Sequence, residues 1–246
     1  MPPIMATGDI DGLAFIGGSK AADDLIKQHP NPHRLKVFLQ LEANNMAIYL
    51  SDLFTSKNKQ PLETALTETI TGTLSFNGQR CTALKLLMVP TEYADVFAKA
   101  LVEKVEALSV GLPWEQSDGN LSKVTPLPNS KRVQYMQELI ADAVENGAKV
   151  INKNGGQLVG GPESTLMNPA VLYPVTSDMK IYHEEQFGPV IPIAPYDDIE
   201  TVLQYGQSGW SAQQVSLFTD VDAETSATVI DRFSSVFGKI NLNSQW

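Results

Sequence analysis

Short apolar runs alternate with amphipathic stretches along almost the whole chain, and this pattern limits the fold to a small set. Residues Gly12–Ile16, 36–41, 84–89, 149–151, 170–172, 190–193 and Gln214–Phe218 read as strands, with a further strand at 45–50. Between them, residues 20–27, 62–74, 93–108, 130–146, 199–205 and 223–233 carry helical spacing. In the helix over 93–108, Val96, Ala100, Val105 and Leu108 are available for one buried face. Gly147 follows the helix over 130–146 as a C′ glycine. The polar segment 52–62 reads as a surface loop, and 154–164 as a glycine-rich hairpin or loop. Strand and helix in repeated alternation predict an α/β fold: a mostly parallel sheet, three layers deep, with helices on both faces. With 246 residues the chain has room for one large unit or for one domain and part of another.

Charge and composition exclude several partners. The net charge is −10 and the 18 Lys and Arg are scattered, whereas nucleic acid requires a clustered basic surface. No apolar run approaches the 18 or so residues that span a bilayer. The opening Met1-Pro2-Pro3-Ile4-Met5 has neither the basic nor the long apolar region of a signal peptide, so a cytoplasmic protein is expected. One cysteine excludes an intrachain disulfide, and with three histidines it leaves no Cys/His zinc site; no metal is expected.

That cysteine lies in Ser75-Phe76-Asn77-Gly78-Gln79-Arg80-Cys81-Thr82-Ala83. A cysteine attacks as its thiolate, and a neighbouring guanidinium or backbone N–H groups favour that form, so Cys81 beside Arg80 has a route to activation. The alternative is a thiol that packs as a small hydrophobe. Earlier, Phe15-Ile16-Gly17-Gly18-Ser19 places glycines and a serine between a strand and a helix start, where backbone can approach a phosphate; an ordinary helix cap explains Ser19 equally.

Three segments taken together, the cysteine segment, Leu41-Glu42 at a strand end, and Glu184-Glu185-Gln186-Phe187-Gly188-Pro189-Val190, resemble the aldehyde dehydrogenase superfamily. Through Gly78 to Ala83 and Thr125-Pro126-Leu127 the chain is similar, within it, to the NADP-dependent non-phosphorylating glyceraldehyde-3-phosphate dehydrogenases. The resemblance implies oxidation through a covalent adduct: Cys81 attacks the aldehyde carbon, hydride leaves to NADP or NAD, and water hydrolyses the thioester. It implies Glu42 as the general base for that water, Gly18 and Ser19 at the cofactor pyrophosphate, Glu185 on the nicotinamide ribose with Phe187 beside it, and Arg80 near a substrate phosphate. A structural ion pair is an equal reading of Arg80. The resemblance implies the Cys81 amide as one oxyanion donor and places the family's asparagine N-terminal to this sequence; Asn77 is close in the chain but is not put in its place without geometry.

The resemblance also divides the chain, into residues 1–45 as the end of a Rossmann-like cofactor domain and 46–246 as the catalytic domain. It implies a small aldehyde as partner and a homodimeric or homotetrameric parent protein, of which this chain would be a fragment. Where the family continues Leu-Gly-Gly-Lys after the glutamate, this chain has Ala43-Asn44-Asn45-Met46, which alters the expected approach to the nicotinamide. Two other readings stand beside this one: a semialdehyde or general aldehyde dehydrogenase, and a non-catalytic fragment serving as a structural or interaction module.

Overall fold

The computed structural model describes residues 2–117, 120–208, 213–220 and 223–245. The chain divides into two compact units, Met1–Ala43 and Asn44–Trp246.

The first unit contains helix α1 (Pro2–Met5), strand β1 (Gly12–Ile16), helix α2 (Ser19–Gln28) and strand β2 (Lys36–Gln40). The two strands pair in parallel, Gly12 opposite Lys36 and Ile16 opposite Gln40, so the intervening helix is a right-sized crossover. Met5, Leu13, Leu25 and Leu35 form its small core.

The second unit runs β3 (Met46–Tyr49), α3 (Asp52–Thr55), α4 (Gln60–Leu74), β4 (Leu86–Pro90), α5 (Thr91–Glu106), β5 (Gln116–Ser117), β6 (Asn120–Leu121), α6 (Ser130–Glu145), β7 (Lys149–Val150), β8 (Ala170–Tyr173), α7 (Lys180–His183), β9 (Val190–Tyr196), α8 (Ile199–Ser208), β10 (Gln214–Phe218), α9 (Ala223–Ser234) and β11 (Lys239–Leu242). Among the described residues seven strands form one sheet in the order β11-β10-β3-β4-β9-β8-β7. Every neighbouring pair is parallel except β7 with β8.

The alternation of side chains along each strand builds two cores. Ala47 and Tyr49 of β3, with Leu87 and Val89 of β4, pack against Leu66 of α4 and Phe97 and Leu101 of α5. Met46 and Ile48, with Leu86 and Met88, meet Val202 and Leu203 of α8 and Phe233 of α9 on the opposite face. A third cluster joins Ala170 and Leu172 of β8 to Val133, Met136 and Leu139 of α6. Each large side chain so buried stabilises by about 1.5–3 kcal/mol, which is what holds helices on both faces of the sheet.

Two local readings of the sequence are corrected. Segment 52–62 is not all loop: Asp52–Thr55 is helical, because Leu53 is buried and Phe54 stacks on Tyr93 with ring centroids 4.7 Å apart. In α5 the buried face is Ala94, Phe97, Ala98, Leu101 and Val105, and Val96 is 63% exposed. The Phe97 ring, 4.5 Å from that of Tyr49, claims the sheet and turns Val96 to solvent. The hairpin of β5 and β6 and the edge strand β11 carry too little apolar alternation to show in the sequence.

Candidate active site

In the second unit the predicted Cys81, Glu185 and Phe187 lie on connections that lead into the amino ends of its parallel strands. Asn45 precedes β3, Lys85 precedes β4, residues 184–189 lead into β9, and Gln214 opens β10. Cys81 lies in the connection from α4 to β4.

That connection has an unusual backbone. After Leu74 a single 3-10 turn, Ser75–Gly78, holds Phe76 (φ 53°), Asn77 (φ 58°) and Gly78 (φ 70°) in the left-handed region. Glycine is required at 78: a Cβ there would stand 2.7 Å from both the Gly188 and the Thr73 carbonyl oxygens. Asn77 is buried and stapled to Thr125, its Oδ1 accepting from the Thr125 N–H (2.9 Å) and its Nδ2 donating to the Thr125 hydroxyl (3.2 Å). Both ends of its side-chain amide are thus engaged with Thr125.

The half-buried free thiol of Cys81 rides on backbone clamped from two neighbouring strands. Buried Asn45 donates Nδ2 to the carbonyls of Cys81 (2.7 Å) and Ala83 (2.9 Å), while Gln214 donates Nε2 to that of Thr82 (2.7 Å). Asn45 is itself held, accepting from the Gln214 N–H at 3.2 Å. A nucleophile carried on a fixed backbone meets the geometric demand of covalent catalysis.

Lys85 sits beneath this loop, 1% exposed. Its Nζ donates to the Gly78 carbonyl at 2.6 Å and lies 4.9 Å from the centroid of the Phe187 ring. Burial pushes its pKa down to about 8, with the charges of Glu185 and Cys81 working against that shift and those of Arg80 and Arg132 adding to it. Buried Gln186 donates Nε2 to the carbonyls of Lys85 (3.2 Å) and Val190 (2.8 Å). Phe187, half-buried, is another left-handed residue (φ 46°), and Glu185 beside it is partly buried. The structure thus brings Cys81, Glu185 and Phe187 into one assembly, with Lys85 as the shared neighbour.

Arg80 turns toward the protein. Its Nη2 donates to the Thr71 (3.3 Å) and Gly72 (3.5 Å) carbonyls and to Oε1 of Gln245 (3.2 Å). Burial lowers its pKa, and the neighbouring Cys81 charge acts in the opposite sense.

Gly18, Ser19 and Glu42 belong to the first unit. Gly18 is the N-cap of α2, and the backbone N–H and hydroxyl of Ser19 both donate to Glu42 Oε1, at 2.7 and 3.0 Å. Burial is the largest single influence on the Glu42 carboxyl and raises its pKa, but the Ser19 N–H and hydroxyl and its own backbone outweigh it, leaving it below the usual carboxylate value. A Cβ on Gly18 would meet the same oxygen at 3.3 Å. The donors of this turn are thus engaged by the Glu42 carboxylate, and a phosphate bound there would have to displace it.

Residues 2–246 match the model of the aldehyde dehydrogenase family. The chain belongs to this family. An NADP-dependent glyceraldehyde-3-phosphate dehydrogenase of Streptococcus equinus is 31% identical over 184 residues, 75% of this chain and 35% of that protein. The succinate-semialdehyde dehydrogenase [NADP(+)] of Deinococcus radiodurans is 32% identical over 220 residues, 89% of this chain and 43% of that one. Among solved structures, the NADP-dependent glyceraldehyde-3-phosphate dehydrogenase of Bacillus halodurans C-125 complexed with NADP superposes with a TM-score of 0.78 at 28% identity, over 96% of this chain and 44% of that one. The chain therefore spans less than half the length of the relatives it matches.

Four residues of the assembly escape sequence reasoning: Asn45, Lys85, Gln186 and Gln214. Each is a polar residue at the threshold of an apolar strand, and a lysine immediately before Leu86–Pro90 was the available signal. Among the described residues no group of three or more His, Cys, Asp and Glu side chains could hold a metal ion, and no helix is long and apolar enough to cross a membrane.

Proposed function

We propose that the whole protein oxidises a small aldehyde to its carboxylic acid with NADP or NAD, and that its substrate is glyceraldehyde 3-phosphate. The observation that carries this reading is the Cys81 loop, clamped through its carbonyls by Asn45 and Gln214 and set against the Glu185–Phe187 segment. The Cys81 thiolate adds to the carbonyl carbon, and after oxidation the acyl group remains on sulfur as a thioester. When bound, a nicotinamide cofactor supplies the hydride acceptor. Gly18 and Ser19 would hold its pyrophosphate, Glu185 its ribose, and Phe187 would lie beside the ring. Glu42, released from the Ser19 donors once they hold the pyrophosphate, takes the proton from the water that releases the acid. The same reading makes the parent protein a cytoplasmic homodimer or homotetramer.

One observation favours a second substrate. The Nη2 group of Arg80 is engaged with protein acceptors, which suits an unphosphorylated semialdehyde as well as a phosphorylated one. NADPH formation by the whole protein with glyceraldehyde 3-phosphate and with succinate semialdehyde separates the two. Preference for the phosphorylated aldehyde, with Arg80→Ala raising its KM on the order of tenfold and sparing the other, is the expected result. Equal loss on both substrates would move Arg80 to a structural role and leave the semialdehyde reading in place.

A further inference from the structure

The family reading assigns no part to Lys85, yet few side chains in the chain are so placed. A lysine is rarely buried completely, because removing an ammonium from water costs several kcal/mol unless carbonyls, ring faces or opposite charges replace the solvent. Here all three are supplied. The Gly78 carbonyl accepts from Nζ at 2.6 Å, the Phe187 ring lies under it at 4.9 Å, and the Glu185 carboxylate favours its charged form.

The two elements it joins are those that would carry nucleophile and cofactor. Gly78 lies three residues before Cys81, and Phe187 belongs to the segment leading into β9. The close approach of Gly78 to the Gly188 carbonyl and the Gln186 bond to the Lys85 carbonyl hold the same two segments together, so the ammonium sits at their junction. The charged and titratable groups facing it are Glu185, Cys81, Arg80 and Arg132. Glu185 helps to keep Lys85 protonated, and a protonated Lys85 attracts a negative sulfur on Cys81. Arg80 and Arg132 repel the ammonium.

We propose that Lys85 is a positioning residue for the reaction: its ammonium, pinned between the Gly78 carbonyl and the face of Phe187, sets the loop that carries Cys81. The proposal rests on Cys81 being the nucleophile.

Cys81 is the chain's only cysteine, so alkylation by iodoacetamide reads it directly, without turnover and without cofactor. Three variants of the chain, Lys85→Met, Lys85→Gln and Lys85→Arg, are compared with the parent between pH 7 and pH 10, with circular dichroism to confirm folding. The Met and Gln variants are expected to react on the order of tenfold more slowly than the parent at every pH compared, because the loop that carries the thiol is no longer held in place. Lys85→Arg is expected to restore most of the rate at pH 7, since it keeps the charge. The Gln variant retains a donor for the Gly78 carbonyl and so stands in if the Met variant fails to fold. Equal rates in the parent and in the Met and Gln variants, or a Lys85→Arg rate as low as theirs, would overturn the proposal, because the loop would then be set without the cation. Failure of the underlying nucleophile assignment shows separately, as turnover that survives Cys81→Ser in the whole protein.

Discussion

Lys85 shows how a residue that looks unremarkable in the sequence becomes a buried cation held by a carbonyl and a ring face. A lysine before an apolar strand reads as a charge at a loop end, and nothing in its spacing says that it turns inward. Its burial depends on Gly78 and Phe187, which lie 7 residues before it and 102 after it in the chain, so no local pattern encodes it. The cost has a pH signature. With its pKa down at about 8 in the fold, from an ordinary 10.5, Lys85 binds a proton between those values in the unfolded chain and releases it in the folded one. Stability from this group therefore rises as pH increases from about 8 to about 10.5, by on the order of 3 kcal/mol. Urea unfolding at pH 7.5 and pH 10 is expected to show the parent gaining stability relative to Lys85→Met. A parallel pH dependence in the two proteins would contradict it.

At the level of elements, most strands and helices were legible because each presents an apolar face of the correct period. The site is harder to read, since it is assembled from the amino ends of β3, β4, β9 and β10, whereas ligands of open parallel sheets usually lie at carboxyl ends. Glu185 and Phe187 could be named in advance only through resemblance, whereas Cys81 also stood out as the single cysteine beside an arginine. Their supports, Asn45, Gln186 and Gln214, follow from sheet order, which the sequence does not spell out. The 3-10 turn before Cys81 makes the element-scale dependence testable. Gly78→Ala introduces a Cβ 2.7 Å from two backbone oxygens at φ 70°, and neither oxygen belongs to a side chain that can swing aside. A loss of about 3 kcal/mol in urea unfolding, together with a changed Cys81 alkylation rate, is expected. A change below about 0.5 kcal/mol would show that the loop adapts.

For the whole molecule, the sheet flanked by helices, the family and the succession of site residues were all expected from the sequence, and the fold and family are found. Cys81 and Lys85 lie in the unit from Asn44, and the Glu42 carboxylate with the Ser19 turn in the unit before it. The claim on which the functional reading turns is that Cys81 carries the acyl group. The direct measurement is mass spectrometry of the whole protein after rapid quenching with aldehyde and NADP, alongside steady-state NADPH formation, in the parent and in Cys81→Ser. An aldehyde-derived acyl mass on the peptide containing Cys81, and turnover reduced by at least about a thousandfold in the serine variant, are expected. Undiminished turnover in Cys81→Ser, or acylation at another residue, would contradict it.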